Sequence, residues 1–148
     1  MKFSLFAHIE RYDESVSHKQ LLDELTEFTL MAEAGGMETI WIGEHHGMEY
    51  TVAPNPFINL AYLAAKTTTI RLGTGNIIAP FWHPIRLAGE AALCDLTSNG
   101  RVDLGIARLY QVNQSVSKVG LKFQKLLLWS YDELLLGRAQ CFRVQSYV

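Results

Sequence analysis

The chain has 148 residues, the size of one ordinary domain, and 49% of them are hydrophobic, enough for a sizeable packed core. Its 13 basic and 15 acidic residues leave a net charge of -2 with both signs interspersed, so no basic run marks a nucleic-acid or membrane surface. The apolar stretch at the N-terminus is too short for a signal-peptide core, and no window approaches the roughly 20 apolar residues of a membrane span, so the expected compartment is the cytoplasm.

Residues 2–7 read as a first strand, in which Phe3, Leu5 and Ala7 alternate with Lys2, Ser4 and Phe6, and which ends at His8. Ser17-His18-Lys19-Gln20 fits a capping box, so a helix begins there with Leu21, Leu25, Phe28 and Ala32 on one face and Gly35-Gly36 as its stop. Thr39-Ile40-Trp41-Ile42 is β-branched and aromatic, a second strand that ends in Glu44, His45 and His46. Asn55-Pro56 suits an N-cap and first helical position, and a helix to about Lys66 buries Phe57, Leu60, Ala61 and Ala64. Residues 70–75 form a third strand with glycines where the chain turns sharply or approaches a ligand, closed by Asn76.

His83-Pro84 opens a third helix, with Ala88, Ala91, Ala92 and Asp95 as a small-residue face, and Asn99-Gly100 ends it. Residues 101–106 form a fourth strand that delivers Ala107, Arg108 and Tyr110 to its far end. Beyond it the pattern changes. Val119, Phe123, Leu126, Leu127 and Trp129 indicate a fourth helix, and residues 134–136 with 141–144 can form a short hairpin. Cys94 and Cys141 show neither metal-ligand spacing nor a disulfide framework and are expected to be buried thiols.

Strand-helix alternation with short connections argues for a parallel sheet with right-handed crossovers. An open doubly wound sheet usually carries a glycine-rich phosphate loop after its first strand, where this chain has His8-Ile9-Glu10-Arg11, so part of a (β/α)₈ barrel is preferred. A full barrel typically needs about 250 residues, and four units make half of one. The first and fourth strands then lack partners, which predicts self-association.

The rim formed by the strand ends gathers the chemistry. Adjacent histidines leaving a strand point in opposite directions, so at most one of His45 and His46 faces the mouth, and Glu44 can orient an imidazole or raise its pKa. Arg108 at such a rim offers a planar fork to a phosphate, its plain alternative being a surface salt bridge.

Trp41-Ile42-Gly43-Glu44-His45-His46, Asn55-Pro56, Leu72-Gly73-Thr74-Gly75, His83-Pro84 and the run from Gly100 to Arg108 resemble, in order and spacing, the bacterial luciferase-like flavin monooxygenases. The match covers residues 1–108 of what reads as a single truncated domain, with 109–148 a divergent tail. The resemblance implies a (β/α)₈ barrel that takes reduced FMN, a deazaflavin being the less favoured cofactor, from a partner flavin reductase and oxidises a small organic substrate. It implies that His45 is the histidine near the flavin and that Glu44 positions it. It places a cis peptide at Gly75-Asn76 beneath the flavin, Ala107 under the ring edge, and Arg108, with Tyr110 nearby, toward the phosphate. Where the family usually continues Arg-Gly, this chain reads Arg108-Leu109-Tyr110, as if residues were missing. Two alternatives stand beside this reading: a non-catalytic flavin-binding or dimerising module, and, ranked lowest, a metal-dependent barrel hydrolase built on His8, His45 and His46.

Overall fold

The computed structural model describes residues 1–47, 49 and 51–107, and the backbone of residues 140–143. Within them the chain runs β1 (Ser4–Ala7), α1 (His18–Ala34), β2 (Thr39–Ile42), α2 (Pro56–Ala64), β3 (Arg71–Thr74), β4 (Ile77–Ile78), α3 (Pro84–Thr97), β5 (Val102–Ala107) and β6 (Gln140–Arg143), with a 3-10 turn at Ala79–Phe81. The expected four strands are β1, β2, β3 and β5. They lie parallel and in chain order, Phe6 level with Trp41, Trp41 with Gly73 and Gly73 with Asp103. The expected fourth helix, Trp129, and residues 134–136 of the hairpin lie outside the described residues.

Alternation along parallel strands assigns the two faces. Ile40, Leu72 and Val102, neighbours in one row, are all 0% exposed and join Leu21 and Leu25 of α1, Phe57, Leu60 and Leu63 of α2, and Leu87 and Ala91 of α3 in one core. The opposite face carries Phe6, Trp41, Gly73 and Asp103, the row that points inward in a barrel.

Local signals place the helices well. Ser17 accepts from Gln20 N while Ser17 N donates to Gln20 Oε1, completing the capping box, and Asn55 Oδ1 accepts from Phe57 N at 3.0 Å. Gly36, Asn99 and Gly100 take left-handed φ at the helix stops. Helical phase was less legible. Thr29, not Phe28, completes the buried row of α1, and Phe28 is 56% exposed beside β1, where no further described unit packs. Leu63 replaces Ala61 among the buried residues of α2, which ends at Ala64. On α3 the buried residues are Leu87, Ala91, Cys94 and Asp95. Ala88 and Ala92 lie one residue on, rotated about 100° toward solvent, so the expected small-residue face does not form.

Two corrections concern the fourth strand. The two-residue β4 was not foreseen, and it pairs parallel with β5 beyond β3. Residues 73 and 77 lie level with 103 and 106, so the β3–β4 side holds one extra residue, a bulge that contains the cis peptide Gly75-Asn76. Thr74 Oγ1 bridges the gap, donating to Gly105 O and accepting from Gly105 N. The second correction is that β5 does not lack its outer partner: β6 pairs antiparallel with it from Asp103 to Ile106. Among the described strands β1 keeps an open edge, because its only ladder is with β2.

Polar clamps close the end of the sheet opposite the mouth. Arg101 donates to the carbonyls of Ala64, Thr67, Ile70 and Ser98 and to the Thr67 hydroxyl, tying α2, β3 and α3 together. Arg71 grips both oxygens of Asp103 at 2.7 Å. Glu33 Oε1 accepts from the backbone N–H groups of Thr68, Thr69 and Ile70 and from the Thr69 hydroxyl. No described helix is long and apolar enough to cross a membrane.

Candidate functional site

Two residues beyond Trp41, Gly73 and Asp103 each strand returns to the inward face with a glycine: Gly43, Gly75 and Gly105. What sits where their side chains would be defines the site. A Cβ on Gly43 would lie 3.1 Å from His45 Nε2, one on Gly75 2.6 Å from the Phe6 ring, and one on Gly105 3.1 Å from Asn76 Oδ1. Glycine is required most strictly at Gly105, where a Cβ would also meet Thr74 O at 2.2 Å. The row is therefore a floor on which Phe6, His45 and Asn76 lie. One layer down, the Trp41 ring covers Gly73 in the same way.

β1 reaches this floor through an unusual turn. Ile9, buried and β-branched, has φ of 54°, a conformation such residues rarely adopt unless their surroundings enforce it. The enforcement is visible: Thr51 Oγ1 donates to His8 O, and Glu10 bridges to Thr51. The turn sets His8 between Phe6, with ring centroids 4.7 Å apart, and His45, at 5.9 Å. Burial, reinforced by neighbouring His8, holds the His45 imidazole below its ordinary pKa, so it is neutral at pH 7.

Glu44 engages an imidazole, as expected, but that of His46 and not that of His45. Its buried carboxylate accepts from Trp82 Nε1 at 3.0 and 2.9 Å and from Ile78 N at 2.7 Å, and it meets His46 Nε2 at 2.5 Å. No hydrogen bond joins it to His45, whose backbone N–H instead donates to Ala53 O. The reason is strand alternation: Glu44 points into the helix layer, Gly43 and His45 to the inward face. Trp82 packs edge-on against Phe57, 5.5 Å between ring centroids, which fixes the indole in the helix layer.

Of the sequence candidates, His45, Gly75 and Asn76 come together on the floor, and Ala107, half-buried at the end of β5, is level with Ile78. Arg108 and Tyr110 lie outside the described residues. Sequence reasoning missed Phe6 as a site residue, named His8 only as a metal ligand, and missed Trp82 and Ile78 as the holders of Glu44. The aromatic pair Phe81-Trp82 just before His83-Pro84 was the available signal. The metal alternative needs His8, His45 and His46 to converge, whereas His46 is engaged by Glu44 away from the other two. Among the described residues no group of three or more potential ligands is placed to hold a metal ion. Cys94 is a buried thiol that donates to Phe57 O, and burial pushes its pKa up to about 11.

Comparison with known proteins agrees with this geometry. The family model described as luciferase-like monooxygenase matches residues 1–125. The oxygenase component of the flavin-dependent trigonelline monooxygenase of Acinetobacter baylyi is 60% identical over 108 residues, 73% of this chain and 30% of that protein. Among solved structures, apo-MsnO8 superposes with a TM-score of 0.77 at 27% identity, covering 89% of this chain and 40% of the other. The oxygenating constituent of 3,6-diketocamphane monooxygenase from Pseudomonas putida, in complex with FMN, has the same fold, with a TM-score of 0.70 at 24% identity over 81% of this chain and 32% of the other. The chain spans about a third of the length of the curated relatives it matches. With the family model covering most of its length and the strand-end floor in place, this chain belongs to the luciferase-like monooxygenase family.

Proposed function

We propose that this chain forms the flavin-facing wall of the oxygenase component of a two-component monooxygenase, a cytoplasmic protein that receives reduced FMN from a flavin reductase and oxidises a small organic substrate. The observation that carries the reading is the gathering of Phe6, His45, Gly75, Asn76 and Ala107 on one rim in a chain of this family. FMN is favoured over a deazaflavin because the 60% identical relative is named flavin-dependent and a solved structure of this fold holds FMN.

The floor suits a flat ring. Its three glycines carry no side chains, Phe6 offers an aromatic surface, and Asn76 lies over Gly105. A bound reduced flavin supplies the electrons that activate molecular oxygen. The protein's part is placement and proton control. Phe6 and Trp41 exclude water from the floor. His45, neutral and half-buried, exchanges a proton or a hydrogen bond with what lies above it. Arg108 and Tyr110 are the residues that would hold the phosphate, a contact that would contribute binding energy equally before and during reaction.

A second reading, a non-catalytic flavin-binding or self-associating module, is favoured by the open β1 edge and by the exposure of Phe3, Phe6, Phe28 and Met31. Titration with FMN and with a deazaflavin, followed by reduced FMN, oxygen and trigonelline or an aldehyde, tests both readings. Weak saturable FMN binding is expected, with Kd on the order of 0.1 mM. His45→Ala should change Kd by less than about tenfold, or 1.4 kcal/mol, and Arg108→Ala by more. Stoichiometric product would favour the oxygenase reading and binding without product the second. If neither flavin binds, both fail.

A further inference from the structure

The open edge of β1 presents a short, defined set of backbone groups. Phe3 O accepts from Glu38 N on the β2 side, so by alternation Leu5 and Ala7 also turn their backbone groups to β2, while Ser4, Phe6 and His8 turn theirs outward. His8 O is taken by the Thr51 hydroxyl. Among the described residues nothing pairs with the outward N–H and C=O groups of Ser4 and Phe6. Beside this edge β1 and α1 enclose a cavity of about 320 Å³, lined by Leu5, Ala7, Leu21, Leu25 and Phe28 with the acidic Glu10 and Glu24. Phe3 shares a strand face with Leu5 and Ala7, yet it is 59% exposed.

We propose that a second copy of this chain covers the edge: two β1 strands pair antiparallel about a two-fold axis at Leu5, and Phe3 of each copy fills the β1–α1 cavity of the other. This names the surface behind the self-associating reading above, and rests on it. In a two-fold contact between like strand edges the position of the axis fixes the register. With the axis at Leu5, Ser4 lies opposite Phe6 of the second copy, and the outward N–H and C=O groups of the two residues satisfy one another. An axis at Phe6 would instead oppose Ser4 to His8, whose carbonyl Thr51 already holds. The Leu5 axis also sets Phe3 opposite Ala7 of the second copy, on the face that lines the cavity. Charges match in the same register. Lys2, which reaches Glu38 of its own copy, comes opposite His8 of the other, where Glu10 lies 3.7 Å from the imidazole and Glu24 lines the cavity. The symmetry repeats that meeting of a basic strand start with an acidic strand end, and it removes Phe3, Phe28 and Met31 from water on both copies.

Leu5→Cys reads the register directly. Residues opposed in a non-hydrogen-bonded antiparallel pair have Cα atoms about 4.5 Å apart, within disulfide reach. Mild oxidation of the full chain carrying Leu5→Cys should give a covalent dimer on a non-reducing gel. Ala7→Cys, opposite Phe3 rather than its own counterpart, should not, and the wild type serves as the blank for Cys94 and Cys141. Sedimentation analysis of the full chain should show a dimer that dissociates on dilution. Phe3→Asp removes the side chain that fills the cavity from an exposed position, so the monomer keeps its fold and dimerisation weakens at least about tenfold. Leu93→Glu, on the exposed surface of α3, should leave the dimer unchanged. If Leu5→Cys fails to fold, Phe3→Asp decides alone. A dimer that withstands Phe3→Asp and dissociates with Leu93→Glu, or cross-linking of Ala7→Cys in preference to Leu5→Cys, overturns the proposal and spares self-association. A monomer at every concentration overturns both, and protection of its Ser4 and Phe6 amides from hydrogen exchange would place another segment of the same chain on the edge.

Discussion

The Trp82 indole N–H lies within hydrogen-bond distance of both oxygens of the Glu44 carboxylate, 3.0 and 2.9 Å away, and so ties the turn after β4 to the end of β2. Two strands that are not neighbours in the sheet are thereby locked at the mouth. Trp82→Phe keeps most of the packing on Phe57 and removes the donor from a buried charge. Hydrogen bonds to charged groups contribute about 1.5–3 kcal/mol, and the loss expected in urea unfolding lies in that range. A change under about 0.5 kcal/mol, typical of an unengaged surface site, would mean that the indole does not hold Glu44.

Glu33 gives the fold a defined acid sensitivity. Burial alone would raise its pKa, but the backbone N–H groups of Thr69, Ile70 and Thr68 and the Thr69 hydroxyl outweigh it and hold the value to about 2, against an ordinary 4.5. A depressed carboxyl pKa stabilises the folded state above the unfolded value, and that contribution is lost as pH falls through the folded one. Unfolding free energy should therefore decline as pH drops from 4.5 toward about 2. Glu33→Gln should be less stable at pH 7 and show a shallower decline over that window. Identical pH profiles for the two proteins would contradict the assignment.

Two glycines should respond in opposite directions. Gly105→Ala drives a Cβ to 2.2 Å from the Thr74 carbonyl, a backbone atom that cannot yield cheaply, so a loss of at least about 2 kcal/mol is expected. Gly89 lies inside α3 with nothing within 4 Å of its would-be Cβ, and Gly89→Ala should gain roughly 0.5–1 kcal/mol from helix propensity. Paired thermal melts check both signs.

These glycines also show where the sequence was legible. The four parallel strands, the Ser17 and Asn55 caps and the stops at Gly35-Gly36 and Asn99-Gly100 were readable because each rests on a local rule, and these formed. The assignment of side chains to partners was not, because it depends on non-local geometry. Glu44 is adjacent to His45 in sequence, yet alternation turns it toward Trp82, 38 residues away. The one-residue bulge after Gly73 and the pairing of β6 with β5 likewise arise from how separate segments meet. Phe28 was misassigned because a helical pattern fixes the period of burial but leaves the phase to the neighbours that are present.

Arg101 tests the clamp at the opposite end of the sheet. Arg101→Lys retains the charge but cannot reproduce a planar fork that donates to four carbonyls and a hydroxyl. Leaving even two of those acceptors unpaired should cost about 2–4 kcal/mol, while flavin affinity, set at the other end, stays within about twofold. A comparable loss of affinity would show that the two ends are coupled.

The glycine floor at the strand ends is where this chain is proposed to meet a flavin. Amide-resolved NMR of the 15N-labelled chain during titration with oxidised FMN tests it most directly. Saturable shifts are expected centred on His8, Gly43, His45, Gly75, Asn76, Gly105 and Ala107, with α2 and α3 unmoved. Shifts centred on the groove between α2 and α3, around Ile58 and Leu93, or no saturable shifts up to millimolar FMN, would contradict it.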